Sequence, residues 1–333
     1  MSVDGGTKAV VAALLANTGI AVTKFVAFAL TGMSSMLAEA IHSVADSGNQ
    51  GLLLLGGKRA KRAATPEHPF GFGRERYVYA FIVSIVLFSV GGLFALYEAY
   101  HKWHETQALA AYDPFDDALG GSTRWWWVPV VVLVVAIVLE SLSFRTAIRE
   151  SNPLRGTRKW NEFVRSAKAP ELPVILLEDF AALIGLVLAL LGVGLTLLTK
   201  NPVFDVAGTA CIGLLLIAVA IFLAVEMKSL LVGESATPRN QEAIVAAIEQ
   251  APGVLRIIHM KTLHLGPEEV LVGVKVAVPG AAPGTEIAAT IDAAEAAARA
   301  AAPGLTLVMY VEADLDRHDH ASRSSATVAD GPA

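Results

Sequence analysis

The chain has 333 residues, of which 54% are hydrophobic and 17% charged, whereas a soluble domain carries about 25% charged residues; this excludes a simple globular protein. The single cysteine, Cys211, excludes a disulfide framework and a cysteine-based zinc or redox module. The net charge of −5 arises after Gly233, where 7 Lys and Arg stand against 13 Asp and Glu, so we expect no nucleic-acid partner.

Six apolar stretches are each long enough to cross a hydrocarbon core, which takes about 20 residues as a helix. They lie at 8–30, 35–56, 77–100, 126–147, 172–198 and 203–228. The loops 57–76 and 148–171 hold most of the Lys and Arg between these spans, which predicts that both termini lie in the cytoplasm. The Ala- and Val-rich composition and the lack of a transit peptide favour a bacterial cytoplasmic membrane.

The pattern changes after the sixth span. The order is helix (240–251), strand (254–265), strand (269–278), helix (285–301) and strand (305–313), with a hairpin signal at Gly266-Pro267. The fold class is therefore an α-helical membrane protein with six transmembrane helices and a small cytoplasmic α-β-β-α-β domain, ferredoxin-like but one strand short. The predicted domains are a transport domain at 1–233, a dimerisation domain at 234–315 and a disordered tail at 316–333.

One face of the second span carries a row of polar side chains. Glu39, His42 and Asp46 follow at i, i+3 and i+7, and Asn49 extends the row by another turn. A charged group at mid-bilayer costs roughly 2.5–3.5 kcal/mol on insertion scales, so it normally faces a cavity or a partner. His and Asp on one face suit a divalent cation such as Zn²⁺. The alternative is a hydrogen-bonded pair that only fixes helix packing.

The fifth span carries two adjacent carboxylates, Glu178 and Asp179, in an apolar run. A carboxylate from this helix would complete a cation site with His42 and Asp46. The alternative for Glu178 is a hydrogen bond near the inner interface. The span ends place His42 nearer the outside and Glu178 nearer the inside, and we attribute this offset to ends that are drawn too crudely.

Three other polar residues of the spans have ordinary interpretations. We expect Asn17 to hydrogen-bond across helices. Lys24 lies near an outer helix end, from which it could snorkel to the interface. Glu140 lies toward the inner end of the fourth span, and we assign it to a cytoplasmic charge network rather than to the cation site.

Two motifs carry a resemblance to a known family. The run Ser34–Asn49 (SSMLAEAIHSVADSGN) resembles the second helix of the cation diffusion facilitators, and the motif His68–Tyr77 (HPFGFGRERY) is typical of the same family. Six spans, cytoplasmic termini and an α-β-β-α-β tail match the family layout over nearly the whole chain. The resemblance implies a homodimer that exports divalent cations from the cytoplasm in exchange for protons.

The resemblance also implies the ligands. Family sites pair two residues of span two with two of span five, each pair four residues apart. His42 and Asp46 match the first pair, and Asp179 matches the second member of the other pair. Ile175 stands where zinc-type members carry His, and Glu178 could supply the missing ligand. The implied metal ligands are therefore His42, Asp46, Glu178 and Asp179.

The subgroup follows from two short runs. Leu177-Glu-Asp and Thr262–Glu269 (TLHLGPEE) resemble the zinc transporter nine-type subgroup. A site with one His and up to three carboxylates is harder than the usual zinc site, which leaves Mn²⁺, Fe²⁺ and Co²⁺ open.

Two further family sites are incomplete in this chain. The loop site needs an Asp and a second His where Thr65 and Phe72 stand, which leaves His68 alone. In the tail, Tyr310–Glu312 replaces the His-x-Glu or His-x-Asp of metal-binding members, and His259 lacks partners there. We therefore expect the tail to dimerise with little metal sensing.

The predicted function is proton-coupled export of divalent cations, zinc first, by alternating access. One alternative is the same kind of transporter for Mn²⁺, Fe²⁺ or Co²⁺. The other is a membrane scaffold or regulator with a lapsed site. The sequence predicts no enzyme and no resident cofactor, since the cation binds transiently. The predicted partners are the divalent cation, protons, the lipid membrane and a second copy of the chain.

Overall fold

The structure is a computed structural model, and it describes residues 4–31, 34–108, 113, 115–116 and 125–316. The chain divides into two compact units. One comprises Ser2–Ala63 and Glu75–Lys228, and the other comprises Ala64–Arg74 and the residues from Ser229 onward. The predicted domain boundary lies at Gly233, a few residues later in the chain. The predicted disordered tail falls outside the described residues apart from Asp316.

The larger unit is built from long helices. They are α1 (Asp4–Thr31), α2 (Ser34–Ala60), α3 (Glu75–Val86), α4 (Phe94–Ala108), α5 (Val128–Arg155), the short α6 (Trp160–Ser166), α7 (Glu171–Thr199) and α8 (Val203–Val232). A π-helical segment, Leu87–Leu93, joins α3 to α4.

Four helical segments are long and apolar enough to cross a membrane. These are Glu75–Glu105, Val128–Arg155, Glu171–Thr199 and Val203–Val232, which confirms the third to sixth predicted spans. Within the described residues, α1 and α2 do not meet that measure. Lys58 and Arg59 fall in the last turn of α2, whose middle carries the polar row of the second span. The first two spans therefore remain predictions.

Helix packing brings the polar rows of α2 and α7 into one interior. α1 packs against α2 and α5, and α5 packs against α7. The π-helical segment also packs against α2, and it contains Gly92, where a side chain would not fit. A Cβ on Gly92 would lie 2.5 Å from Ile217 of α8, and one on Gly91 would lie 3.5 Å from the ring of His42. Gly92 therefore lets α8 approach closely, whereas at Gly91 the imidazole lies at ordinary van der Waals distance.

The smaller unit contains the predicted α-β-β-α-β order, which is confirmed. It consists of α9 (Pro238–Glu249), β1 (Arg256–Gly266), β2 (Glu269–Val278), α10 (Gly284–Ala301) and β3 (Thr306–Leu315). β2 lies in the middle of the sheet, antiparallel to β1 and parallel to β3.

One face of this sheet forms the core of the unit. Alternate residues of β2, beginning at Val270, are buried against the two helices, because side chains alternate between the faces of a strand. Ile244 and Ile248 of α9 and Ala294 and Ala298 of α10 complete the cluster. Both helices therefore cover the same face.

Candidate metal centre

His42 lines two cavities of the helical unit. One cavity is lined by Lys24, Ser43, Asp46 and Glu140 together with His42, and apolar residues of α7 and α8 complete its wall. The other runs from His42 past Phe94 to Lys102 and Asp205. The imidazole is thus within reach of both cavities.

His42 and Asp46 form the first half of the candidate site. One helical turn separates them on α2, and His42 Nε2 lies 3.6 Å from Asp46 Oδ2. Among the described residues, the buried His42 Nδ1 has no hydrogen-bond partner. A buried nitrogen of this kind can bind a cation that approaches from the cavity.

Glu178 of α7 lies beside a later part of α2 than the part that carries His42 and Asp46. Asn49 Nδ2 donates a hydrogen bond to Glu178 Oε1 at 2.6 Å, and Gln50 Nε2 donates one to Oε2 at 3.2 Å. Asn17 Nδ2 donates to Gln50 Oε1 at 3.4 Å, so the predicted cross-helix bond of Asn17 is confirmed. Two amide groups of α2 therefore hold this carboxylate.

Asp179 is held from the other side, by α5. Ser143 Oγ donates a hydrogen bond to Asp179 Oδ2 at 2.8 Å. The other oxygen, Oδ1, is buried and has no hydrogen-bond partner among the described residues. Ile175, one turn earlier on α7, is buried and apolar, so it offers no fourth ligand at that place.

Two residues that the sequence assigned elsewhere lie in this interior. Glu140 is 4% exposed and lines the cavity with His42 and Asp46, so its assignment to a cytoplasmic network is wrong. Lys24 is 3% exposed, and its Nζ donates to Ser43 Oγ at 2.9 Å, so it does not snorkel. The sequence signal for both was their position inside an apolar span, where a charge normally faces a cavity or a partner.

Four carboxylates and one ammonium therefore share the interior. Asp46, Glu140, Glu178 and Asp179 interact repulsively with one another, and Lys24 attracts Glu140. Charges that repel in a poorly solvated interior favour the entry of a cation.

The predicted ligands are distributed over neighbouring positions rather than gathered at one point. His42 contacts Asp46, Glu178 contacts Asn49 and Gln50, and Asp179 contacts Ser143. In the described part of the chain, no three His, Cys, Asp or Glu side chains form a group that could hold a metal ion. The four-ligand set stays a prediction.

The offset along the helices is real. α2 and α7 begin and end within a few residues of the predicted spans, so crude span ends do not account for it. Glu178 lies beside Asn49 and Gln50, about two turns beyond His42. Our attribution of the offset to the span ends is wrong.

Two ion pairs tie helices near their ends. Both nitrogens Nε and Nη2 of Arg76, at the start of α3, donate to the carboxylate of Glu171, at the start of α7, with Nη2 2.7 Å from Oε2. Lys102 Nζ of α4 lies 2.9 Å from Asp205 Oδ2 of α8. The charges at these places already have close partners.

The incomplete sites of the smaller unit hold ordinary contacts. The ring of His68 packs edge-on against Phe72 with centroids 4.7 Å apart. Lys275 Nζ lies 2.7 Å from Glu312 Oε1, and hydrogen bonding to this carboxylate raises the pKa of the lysine. The carboxylate of Glu312 therefore forms an ion pair with Lys275. It lies in the tail motif where the sequence analysis found no complete set of metal ligands.

Long apolar helices that enclose buried imidazole and carboxylate groups are typical of proteins that move ions across a membrane. The fold and the site thus define a multi-pass membrane protein of the cation-transporter class. The cation efflux transmembrane domain matches residues 10–232. The chain belongs to this family, the cation diffusion facilitators, and it is similar to the zinc transporter nine-type subgroup.

Three relatives illustrate the similarity. The mitochondrial proton-coupled zinc antiporter SLC30A9 of Mus musculus is 33% identical over 265 residues, which are 79% of this chain and 44% of that protein. Metal tolerance protein C4 of Arabidopsis thaliana is 28% identical over 265 residues, 78% of this chain and 54% of that protein. Magnetosome protein MamM of Magnetospirillum gryphiswaldense is 24% identical over 268 residues, 78% and 74% respectively. The chain thus spans less than half the length of the zinc antiporter.

Proposed function

We propose that this cation transporter exports divalent cations, zinc first, from the cytoplasm in exchange for protons. The observation that carries the proposal is the His42–Asp46 pair of α2, which lines a buried cavity together with the carboxylate of Glu140. An imidazole nitrogen and carboxylate oxygens are ligands that Zn²⁺ accepts. The similarity to a protein described as a proton-coupled zinc antiporter supports the same choice.

Proton coupling follows from the chemistry of these ligands. A cation binds neutral imidazole and ionised carboxylates, so loading releases protons and reprotonation releases the cation. Histidine suits this exchange because its charge changes between pH 5 and 8. A membrane that is more acidic outside would then favour release on the outer side as the helices alternate between two arrangements.

The proposal includes a topology and an assembly. It requires that α1 and α2 also cross the membrane, giving six spans with both termini in the cytoplasm. α2 packs against α3, the first part of the apolar segment Glu75–Glu105, and α1 packs against α5, which is itself long and apolar enough to span. This packing supports the proposed topology. We further propose a homodimer formed through the smaller unit, in a bacterial cytoplasmic membrane. The cation is cargo in this scheme, and no resident cofactor takes part.

Transport by the purified full chain in proteoliposomes tests the function. The vesicle interior is set to pH 6 and the external buffer to pH 7.5. For transporters whose cytoplasmic side faces the buffer, the interior then represents the outer side of the membrane. We expect saturable zinc accumulation that collapses when a protonophore removes the gradient. Zinc uptake that is absent, or that ignores the gradient, would contradict the proposal and favour a scaffold with a lapsed site.

A competition series identifies the cation. Zn²⁺ uptake is measured in the presence of equal concentrations of Mn²⁺, Fe²⁺ or Co²⁺. We expect Zn²⁺ to be preferred over Mn²⁺ because the imidazole is a softer ligand than oxygen. Stronger inhibition by Mn²⁺ than by unlabelled Zn²⁺ would instead assign the transporter to a harder cation, as its carboxylates allow.

A further inference from the structure

The connection between α5 and α7 is strongly basic. Residues 145–168, here called the basic segment, hold seven Lys and Arg against two Glu. The basic residues are Arg145, Arg149, Arg155, Arg158, Lys159, Arg165 and Lys168. Both flanking helices are long and apolar enough to cross a membrane, so the basic segment lies at one membrane surface.

The length of α5 places the basic segment beside the lipid headgroups. α5 has 28 residues and is therefore about 42 Å long, whereas a hydrocarbon core takes about 20 residues. Trp125–Trp127 stand directly before the helix, as an interfacial aromatic belt does, so the excess length extends past the opposite surface of the core. Arg149 and Arg155 lie on this extension.

Two arginines of the basic segment hold its turn without the help of a carboxylate. Arg155 Nη1 donates to the backbone oxygen of Arg158 at 2.8 Å, and Arg158 Nε donates to that of Arg155 at 3.2 Å. Arg158 Nη1 also donates to Ser166 Oγ at 2.7 Å. In the part of the chain that the structure describes, neither guanidinium forms an ion pair. Two positive charges therefore share one turn without an anionic partner from the protein.

Two aromatic rings support these guanidinium groups. Arg155 Cζ lies 4.5 Å from the centroid of the Trp160 ring, and Arg158 Cζ lies 5.7 Å from that of Phe163. The two rings pack edge to face with centroids 6.1 Å apart. Trp160 and Leu154 remain 36% and 49% exposed. Exposed Trp and Leu beside a guanidinium suit a membrane interface, where apolar groups meet lipid and charges meet headgroups.

Further basic side chains near this turn are exposed. Among the described residues, the side chains of Arg149 and Lys159 have neither a hydrogen bond nor an ion pair. Arg165 differs, because its Nε lies 3.9 Å from Glu226 Oε1. At least two positive charges of the basic segment are therefore available to an external anion, in addition to the paired turn.

We propose that the basic segment binds the phosphate of anionic phospholipids at the turn of Arg155 and Arg158, with further attraction from its exposed basic side chains. A cluster of four to eight Lys or Arg beside a transmembrane helix is the sequence signature of such binding. A guanidinium presents a planar fork of N–H donors that matches a phosphate. Within the described residues, Arg155 uses only one of its five N–H donors.

Membrane orientation alone does not account for this arrangement. Basic residues in a loop also fix the orientation of a membrane protein, but that role needs only their charge. It does not require two guanidinium groups packed on aromatic rings in one turn. The surface is separate from the cavities of His42, so lipid binding there does not depend on cation transport.

Native mass spectrometry of the purified full chain, without zinc and in a neutral detergent, tests the lipid site. The chain is titrated with phosphatidylglycerol in one arm and with phosphatidylcholine in a second arm, and the dissociation constant of the first bound lipid is measured. A third arm adds inorganic phosphate, at a concentration equal to that of the lipid, to the phosphatidylglycerol complex. This arm separates a lipid site from a site for a free anion.

Two double variants remove charge from the basic segment. One is Arg155→Gln with Arg158→Gln, at the turn. The other is Arg149→Gln with Lys159→Gln, whose side chains make no contact in the described structure that a substitution would break. The matched control, Arg239→Gln with Lys261→Gln, removes two exposed positive charges from the smaller unit.

We expect the parent to bind phosphatidylglycerol at least about tenfold more tightly than phosphatidylcholine. Each double variant should raise the dissociation constant for phosphatidylglycerol by about 20- to 30-fold, because each lost charge near the membrane surface weakens binding about fivefold. The control should stay within about twofold of the parent, since its charges lie outside the basic segment. Inorganic phosphate should displace little of the lipid, because it has no acyl chains.

Several results would overturn the lipid site. Equal affinity for the two lipids would do so, and so would an unchanged dissociation constant in the Arg149 and Lys159 variant. An equal loss in the control would show unspecific attraction, and displacement by inorganic phosphate would make the turn a site for a free anion. Melting temperatures show whether the Arg155 and Arg158 variant remains folded. Zinc uptake is a separate measurement, so failure of either proposal leaves the other standing.

Discussion

The two units of this molecule bury side chains of different chemical character. The smaller unit buries mainly valine, isoleucine and alanine between its sheet and helices, together with the polar side chains of His264 and Thr290. The helical unit buries Lys24, Asp46, Glu140, Glu178 and Asp179 among its apolar helices. Burying an apolar side chain stabilises a fold, whereas burying charges costs free energy unless they are paired or bind an ion. The difference favours the helical unit as the place of the proposed cation chemistry, with the sheet contributing stability.

The largest expected effect on transport comes from removing His42 or Asp46. We expect His42→Ala and Asp46→Ala each to lower the initial rate of zinc uptake by at least about 100-fold, because each removes a proposed ligand of the cation. His68→Ala is the matched control, since His68 packs on Phe72 outside the helical unit. Proteoliposome uptake measures all three. An uptake rate like that of the parent in either helical variant would contradict the assignment of cation binding to the helical unit.

The next effect concerns the buried ammonium. Lys24 opposes the entry of a cation into the cavity that it lines with Asp46 and Glu140. Removing one like charge at an effective dielectric constant near 20 is worth about 1–2 kcal/mol, so we expect Lys24→Met to bind Zn²⁺ about tenfold more tightly and to release it more slowly. Isothermal titration and single-turnover release measure the two quantities.

Ser43→Ala is the control for that charge. It removes the oxygen that accepts the hydrogen bond of Lys24 but keeps the ammonium. The affinity should then change by less than about twofold. Equal changes in both variants would show that packing around Lys24, and not its charge, sets the affinity.

A third prediction concerns the sheet. Val272 is fully buried on β2 against the helices, and Val272→Ala should destabilise the smaller unit by about 2 kcal/mol. Val308→Ala, half-buried on β3, should cost less than about 1 kcal/mol. Hydrogen exchange of β2 and β3 in the full chain measures both. Zinc affinity should stay within about twofold of the parent, and a large change in affinity would contradict the separation of roles.

The smallest expected effect is at the open face of the sheet. His259, Tyr310 and Glu312 line a shallow concave surface there, but Glu312 is paired with Lys275. We expect His259→Ala to leave the zinc dependence of transport within about twofold of the parent, measured as the concentration for half-maximal uptake. A shift of tenfold or more would assign metal sensing to the smaller unit.

Local pattern was sufficient to predict most of the fold. Strand alternation and the turn at Gly266-Pro267 predicted β1 and β2, and the long apolar runs predicted α7 and α8 within a few residues. The start of α5 was also predicted, but this helix continues to Arg155, well beyond the predicted end at 147. Helical spacing alone was also enough to place His42 beside Asp46. These features depend on residues that are close together in the sequence.

The remainder of the site depends on contacts between distant helices. Asn49 and Glu178 are 129 positions apart, so no spacing rule could show that the amide holds the carboxylate. Lys24 and Glu140 were assigned to helix ends because their depth was judged from approximate span boundaries. Their burial depends on how α1 and α5 pack against α2 and α7, which a single helical pattern does not encode.

Anomalous scattering at the zinc edge, from crystals of the full chain soaked with Zn²⁺, tests the central claim most directly. We expect a peak inside the helical unit, between α2 and α7, with the donor atoms of His42, Asp46 and Asp179 about 2.0–2.2 Å from the ion. Zinc found only on the sheet, near His259 and Glu312, with none among the helices, would contradict the claim.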